Sequence, residues 1–135
     1  MLIRKLLILK RKKHWVGFEY VKGGVNQGES LYQTAKREVR EETGLNPIVR
    51  TLRKYNYSGK YLYKKRFLDR PGFIGQTFTL FSAEVGKGTV KIDKKEHSAY
   101  RWLEYDKAMK ILTHRNQKKG LKIVNDYLLK RKENK

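Results

Sequence analysis

Short apolar stretches separated by turn residues fill most of this chain, while helical spacing is confined to the middle and the C-terminal end. Leu6 to Lys10 predicts a strand, Arg11 to Lys13 a turn, and Trp15 to Val21 a second strand running into Gly23-Gly24. Ser30 to Thr43 holds strong helix formers with no Pro or Gly. Gly28 before it permits a turn, and Gly44 after it suits the left-handed residue that ends a helix. Leu31, Ala35 and Val39, with Thr34 and Thr43, form its expected inward face. Ile48 to Tyr57 and Tyr61 to Leu68 read as paired strands about a Ser58-Gly59 turn, and Asp69 to Gly72 reads as another turn. Gln76 to Val85 alternates as a long strand ended by Gly86 to Gly88, and Ala99 to Leu103 is a short one. Asp106 is placed to cap a helix to Leu112. Asn116 is placed to cap the last helix, with Leu121, Val124, Leu128 and Leu129 inward. Strands around a central helix, then further strands and terminal helices, imply the α/β class: an α/β/α sandwich around a mixed sheet.

Composition narrows the setting. The 135 residues suit a single domain over 1–135, without linker or repeat. The absence of Cys excludes disulfides, thiolate zinc sites and a Cys nucleophile, and fits a reducing, cytoplasmic setting. The first apolar run is too short for a signal peptide or membrane span, so no membrane association is expected. The net charge of +20 is large for this length and is consistent either with solubility or with a polyanionic ligand, a nucleotide polyphosphate or RNA.

The one acidic concentration lies on the middle helix. Glu38, Glu41 and Glu42 fall at i, i+3 and i+4, so their carboxylates share a face. Crowded carboxylates repel unless a cation lies between them, and Mg²⁺ or Mn²⁺ suits such oxygen ligands. Arg37 adjoins that face and could orient Glu29 or Glu38 by a forked ion pair. An ordinary solvated helix, with Lys36, Arg37 and Arg40 neutralising the glutamates, remains the plain alternative.

Residues 23–45 also fit G-x5-E-x7-R-E-U-x-E-E-x-G-U without a mismatch, where U is a bulky aliphatic. The fixed positions are Gly23, Glu29, Arg37, Glu38, Val39, Glu41, Glu42, Gly44 and Leu45. This is the Nudix box, and the chain resembles a Nudix hydrolase. The resemblance implies the Nudix α/β/α sandwich and cleavage of nucleoside diphosphate derivatives with a divalent metal. It implies Glu38, Glu41 and Glu42 as metal ligands, joined by the Gly23 carbonyl. Glu96 matches an acidic residue that family members place opposite this helix, as a further ligand or general base; Glu38 and Glu96 both stand as candidates for the base. Relatives usually carry an extra strand before the one matching Leu6 to Lys10, so the sheet is expected to lack an edge strand or to have that edge covered. Val21 stands where many relatives have Pro.

Segments outside the box bear on the substrate. Lys22 to Glu29 and Glu96-His-Ser-Ala-Tyr-Arg-Trp-Leu103 resemble asymmetric diadenosine tetraphosphate hydrolases. The first segment, with Ile74-Gly-Gln76, also resembles RNA 5′-pyrophosphohydrolases. Lys22 and Gly24 belong to the loop expected at the phosphates, and Lys54, Lys64 or Arg66 could hold further phosphates. Tyr55, Tyr57, Tyr61, Tyr63 and Phe78 are flat partners available to a base. His97 is a candidate donor to a phosphate oxygen, and His14 carries little expectation. The leading expectation is hydrolysis of diadenosine tetraphosphate to ATP and AMP. RNA 5′ ends, a (d)NTP sanitising activity, and a non-catalytic RNA-binding module are the alternatives; the intact glutamate set argues against the last.

Overall fold

The structure, a computed structural model, describes residues 4–62, 75–86 and 88–133. Strand β1 (Leu6–Arg11) is central in a three-stranded antiparallel sheet, flanked by β2 (Gly17–Glu19) and β5 (His97–Leu103). Its registers set Leu9 opposite Glu19 and Tyr100, and Arg11 opposite Gly17 and His97. Strand β3 (Arg53–Leu62) pairs antiparallel with β4 (Gly75–Ser82). A mixed sheet was expected; every pairing among the described residues is antiparallel.

Side-chain alternation assigns the two faces of the first sheet. Ile8 points to the core formed with α2 (Tyr105–Ile111) and α3 (Arg115–Glu133), where Ala108, Leu112 and Leu121 are buried with it. A second cluster joins Tyr55 and Leu80 of the β3–β4 pair to Val124 of α3. The Arg53 guanidinium lies 3.9 Å from the centre of the Tyr127 ring, tying β3 to the same helix. On the opposite face, Leu9, Arg11, Glu19 and His97 are all 3% exposed or less, which is unusual for so many polar groups. Among the described residues no helix is long and apolar enough to cross a membrane.

Helix α1 (Leu31–Thr43) begins as its sequence dictates. Ser30 accepts from the Gln33 N–H at 3.1 Å, and Gln33 accepts from the Ser30 N–H at 2.8 Å, a reciprocal cap. Gly44 ends it with φ 71°, its N–H donating to the Arg40 carbonyl. The inward face keeps the expected Thr34 and Thr43 but adds Glu42, which is buried, and omits Leu31, which is exposed. The Glu42 carboxylate occupies part of the face that apolar spacing alone would assign to core.

Other boundaries also move. Ser58-Gly59 is not a turn: β3 runs straight through it, and a Cβ on Gly59 would lie 2.8 Å from the Phe78 ring, so the glycine makes room for a cross-strand aromatic. Arg11 closes β1 rather than opening a turn, and β5 begins two residues before Ala99, at His97. β4 stops at Ser82, and Val85 instead forms an isolated bridge with Pro47. Glu104, not Asp106, precedes α2, and Asn116 lies inside α3. Leu129 is half exposed. The rest of the expected Tyr61 to Leu68 strand, and the Asp69 to Gly72 turn, fall outside the described residues.

The outer edge of β2 is closed by a single residue. Phe18 donates its N–H to the Thr113 hydroxyl at 2.9 Å and accepts the Thr113 N–H at 3.1 Å. Thr113, in the connection between α2 and α3, therefore acts as a one-residue strand.

Candidate active site

The site is built on α1 and on the loop before it, with Arg37 at the hub. Its Nε and Nη2 donate to the two Glu29 oxygens at 2.8 and 3.0 Å, a forked ion pair. Nη1 donates to Glu38 at 2.5 Å and to Glu41 at 3.0 Å, and Nη2 also donates to the Gly24 carbonyl at 2.6 Å. Thr34 donates a further bond to Glu29 at 2.7 Å. These bonds, those from Arg37 foremost, hold the Glu29 carboxyl down at about 2. The arginine thus neutralises the acidic face in part and locks Gly23-Gly24 over it.

Gly23 has a steric reason to be glycine. A Cβ there would lie 1.8 Å from the Glu38 carboxyl carbon, in the space the carboxylate occupies. Burial raises the Glu38 carboxyl above the usual range against the opposing pull of Arg37, and the charges of Glu41 and Glu96 add to the rise. Glu42 is 3% exposed and accepts the Lys22 N–H at 3.1 Å. Burial first, then the charge of Glu19, push its carboxyl up to about 9. A buried carboxyl among three others, with one hydrogen bond to stabilise its charge, is a site that lacks positive charge. A hard divalent cation fits this donor set.

The opposite wall comes from the residues just before β5. The Glu96 carbonyl accepts from Lys12 N–H at 2.9 Å, and Glu96 N–H donates to the Asp93 carbonyl at 3.1 Å. This anchors Glu96 so that ligand atoms of Glu42, Glu96 and His97 all lie within 4.8 Å of one another. His97 is fully buried, and its Nε2 meets Glu19 at 2.8 Å, while Arg11 donates to the same Glu19 oxygen at 3.1 Å. Burial alone would raise the Glu19 carboxyl; the bond to His97 and the charges of Lys22 and Arg11 overcome it and hold the group below its ordinary value.

Sequence reasoning missed Glu19 and Arg11 as members of this site. The available signal was a glutamate between Phe18 and Tyr20 in an otherwise apolar strand, which is costly to bury without a partner. Of the expected substrate groups, Lys22 has its ammonium 3.9 Å from Glu19, and Gly24 is engaged by Arg37. Tyr57 is partly buried against the second core cluster, with Phe78 beside it. Their rings lie 5.4 Å apart, and the Tyr57 hydroxyl donates to the Asn116 carbonyl at 3.2 Å. Tyr55 is committed to the core, bonded to Ser82, and Lys54 is exposed. Tyr63, Lys64 and Arg66 lie outside the described residues, as does the side chain of Tyr61.

The model of the NUDIX domain matches residues 3–124. The asymmetrical bis(5′-nucleosyl)-tetraphosphatase of Mus musculus is 31% identical over 121 residues, 85% of this chain and 72% of that protein. Among solved structures, a C. elegans Ap4A hydrolase in a binary complex superposes with a TM-score of 0.71 at 20% identity, covering 93% of this chain and 86% of that one. The E. coli dihydroneopterin triphosphate pyrophosphohydrolase does so with a TM-score of 0.67 at 23% identity, covering 87% and 82%.

Proposed function

Since the chain belongs to the Nudix family and is a hydrolase of that kind, we propose that it cleaves diadenosine tetraphosphate asymmetrically, taking up one water and releasing ATP and AMP. The observation that carries the reading is the Arg37-centred glutamate set facing Glu96, in a chain similar to a tetraphosphatase over most of its length. Glu38, Glu41, Glu42 and Glu96, with the Gly23 carbonyl, would hold Mg²⁺, or Mn²⁺ in its place. When bound, the ion supplies charge neutralisation at the phosphates and acidifies water.

The chain's own groups do the rest. Arg37 fixes one Glu38 oxygen, Oε1, which leaves Oε2 to accept the proton of the attacking water. Glu29 never approaches the substrate in this reading; it orients Arg37 and acts through it. Lys22 brings positive charge beside the carboxylates, and the Tyr57 and Phe78 pair is the aromatic surface proposed for one adenine. Desolvation around Glu42 strengthens each of these electrostatic interactions.

The +20 charge favours one second reading, removal of pyrophosphate from RNA 5′ ends. The deciding measurement is kcat/KM for diadenosine tetraphosphate against 5′-triphosphorylated RNA and dNTPs in one buffer, with products identified in heavy-oxygen water. ATP and AMP should form, with label in one of them, and a chelator should stop the reaction. Faster processing of RNA at physiological salt would transfer the assignment to RNA.

A further inference from the structure

The imidazole of His97 has no task in the reaction just described, yet it is fully buried beside two of the carboxylates that would hold the ion. We propose that His97 is itself a metal ligand, so that Glu42, Glu96 and Nδ1 of His97 form a mixed nitrogen and oxygen site for a first-row divalent transition ion. The proposal rests on the metal-dependent reading above.

Three observations carry it. First, one donor atom from each of these residues lies within 4.8 Å of the others, close enough for a common ion. Second, the ring is fixed in the orientation a ligand needs. Its Nε2 meets Glu19 at 2.8 Å, and the same carboxylate is paired with Arg11 at 3.1 Å and lies 3.9 Å from the Lys22 ammonium. A carboxylate can only accept, so Nε2 carries the hydrogen, and in the neutral ring Nδ1 presents a lone pair. A carboxylate gripping the far nitrogen is the usual partner of a metal-bound histidine, because it sets both tautomer and ring angle. Third, Nδ1 is a buried polar atom with no hydrogen-bond partner among the described residues. Folding leaves such atoms unpaired at a cost, and they call for an occupant. With Nε2 taken, Nδ1 is the nitrogen available to the cluster.

The donor set speaks to which ion. Mg²⁺ takes oxygen ligands and water, whereas imidazole suits later first-row ions such as Fe²⁺, Ni²⁺ and Zn²⁺. A site of two carboxylates and one imidazole therefore favours a first-row transition ion over Mg²⁺, and Mn²⁺, the weakest binder of that series, serves as its paramagnetic probe. Glu19 and Arg11 are positioning residues here and touch neither ion nor substrate.

The test is pulsed electron paramagnetic resonance of the full chain loaded with Mn²⁺. Imidazole coordination should produce nitrogen-14 modulation of the electron spin echo. In His97→Gln the amide nitrogen replaces Nε2 and can still donate to Glu19, while the donor at Nδ1 is lost. The modulation should then vanish, and Mn²⁺ affinity should fall about tenfold or more. Mg²⁺ affinity, measured by competition, should change by less than about threefold. The wild-type spectrum decides the matter even if the variant fails to fold. Bound Mn²⁺ without nitrogen modulation overturns the proposal, and chelator-sensitive hydrolysis in that same preparation would show that the metal-dependent reading survives it. Failure of the wild-type chain to bind any divalent ion would remove both.

Discussion

Arg37 commits all three guanidinium nitrogens to acceptors on α1 and on the loop that precedes it. One consequence is measurable at Glu29, and a separate prediction concerns Glu42, which accepts from the Lys22 N–H instead. Glu29 gains its depressed carboxyl from Arg37 foremost, so it favours the folded state only while ionised. Because its folded value lies near 2, below the ordinary 4.5, that contribution is complete above about pH 4.5 and is lost as pH falls toward 2. Glu29→Gln should flatten this part of the acid unfolding profile, read by circular dichroism; an unchanged acid limb would show that the pair does not stabilise the fold. Glu42 is the second case. Gln keeps its shape and can still accept the Lys22 N–H, but it cannot supply the charge. Glu42→Gln should lower kcat on the order of a hundredfold or more with secondary structure intact. Full turnover at saturating Mg²⁺ would remove Glu42 from the chemistry.

At the level of elements, close approach between α3 and the sheet is set by Gly120. A Cβ there would lie 2.5 Å from the Tyr20 hydroxyl and 3.1 Å from Leu80. Tyr20 cannot retreat freely, since it packs against both core clusters and donates to the Gln117 carbonyl at 3.2 Å. In an unobstructed helix, Gly to Ala would gain about 1 kcal/mol. Here Gly120→Ala should instead lower the urea midpoint, and a higher midpoint would mean that the helix can shift outward without penalty.

The same elements mark what could be read from sequence. Helix α1 was legible in extent, because its run of helix formers and the Gly44 that ends it are local signals that need no tertiary partner. The course of β3 through Gly59 was not, because the reason for that glycine is an aromatic ring on another strand. At the site, the glutamates and Arg37 were legible because they sit on one helix at helical spacing. Arg11 and Glu19 were not, since their pairing with His97 follows from the register of three strands, and His97 lies 78 residues from Glu19 in sequence.

On the scale of the whole molecule, the +20 charge provides a handle on substrate class. Counterion release should cut affinity for RNA by roughly a thousandfold or more between low and moderate salt when six or more phosphates are neutralised. A tetraphosphate bridge offers fewer phosphates, so its kcat/KM should change only modestly over physiological salt. A steep salt slope with the dinucleotide would point to wider use of the basic surface than the proposed site requires.

The closure of β2 by Thr113 bears on how the protein is made. Strand edges with open N–H and C=O groups are templates for pairing with other chains. Phe18 has these groups satisfied only when a residue 95 positions later arrives. During synthesis, β1 and β2 can therefore emerge and pair while the β2 edge, like the β1 edge that β5 later covers, still faces the crowded space outside the ribosome. At typical elongation rates of about 5–20 residues per second, this interval lasts on the order of several seconds. For that time the nascent chain relies on its dense positive charge, or on a chaperone, to keep neighbours away from the exposed edge.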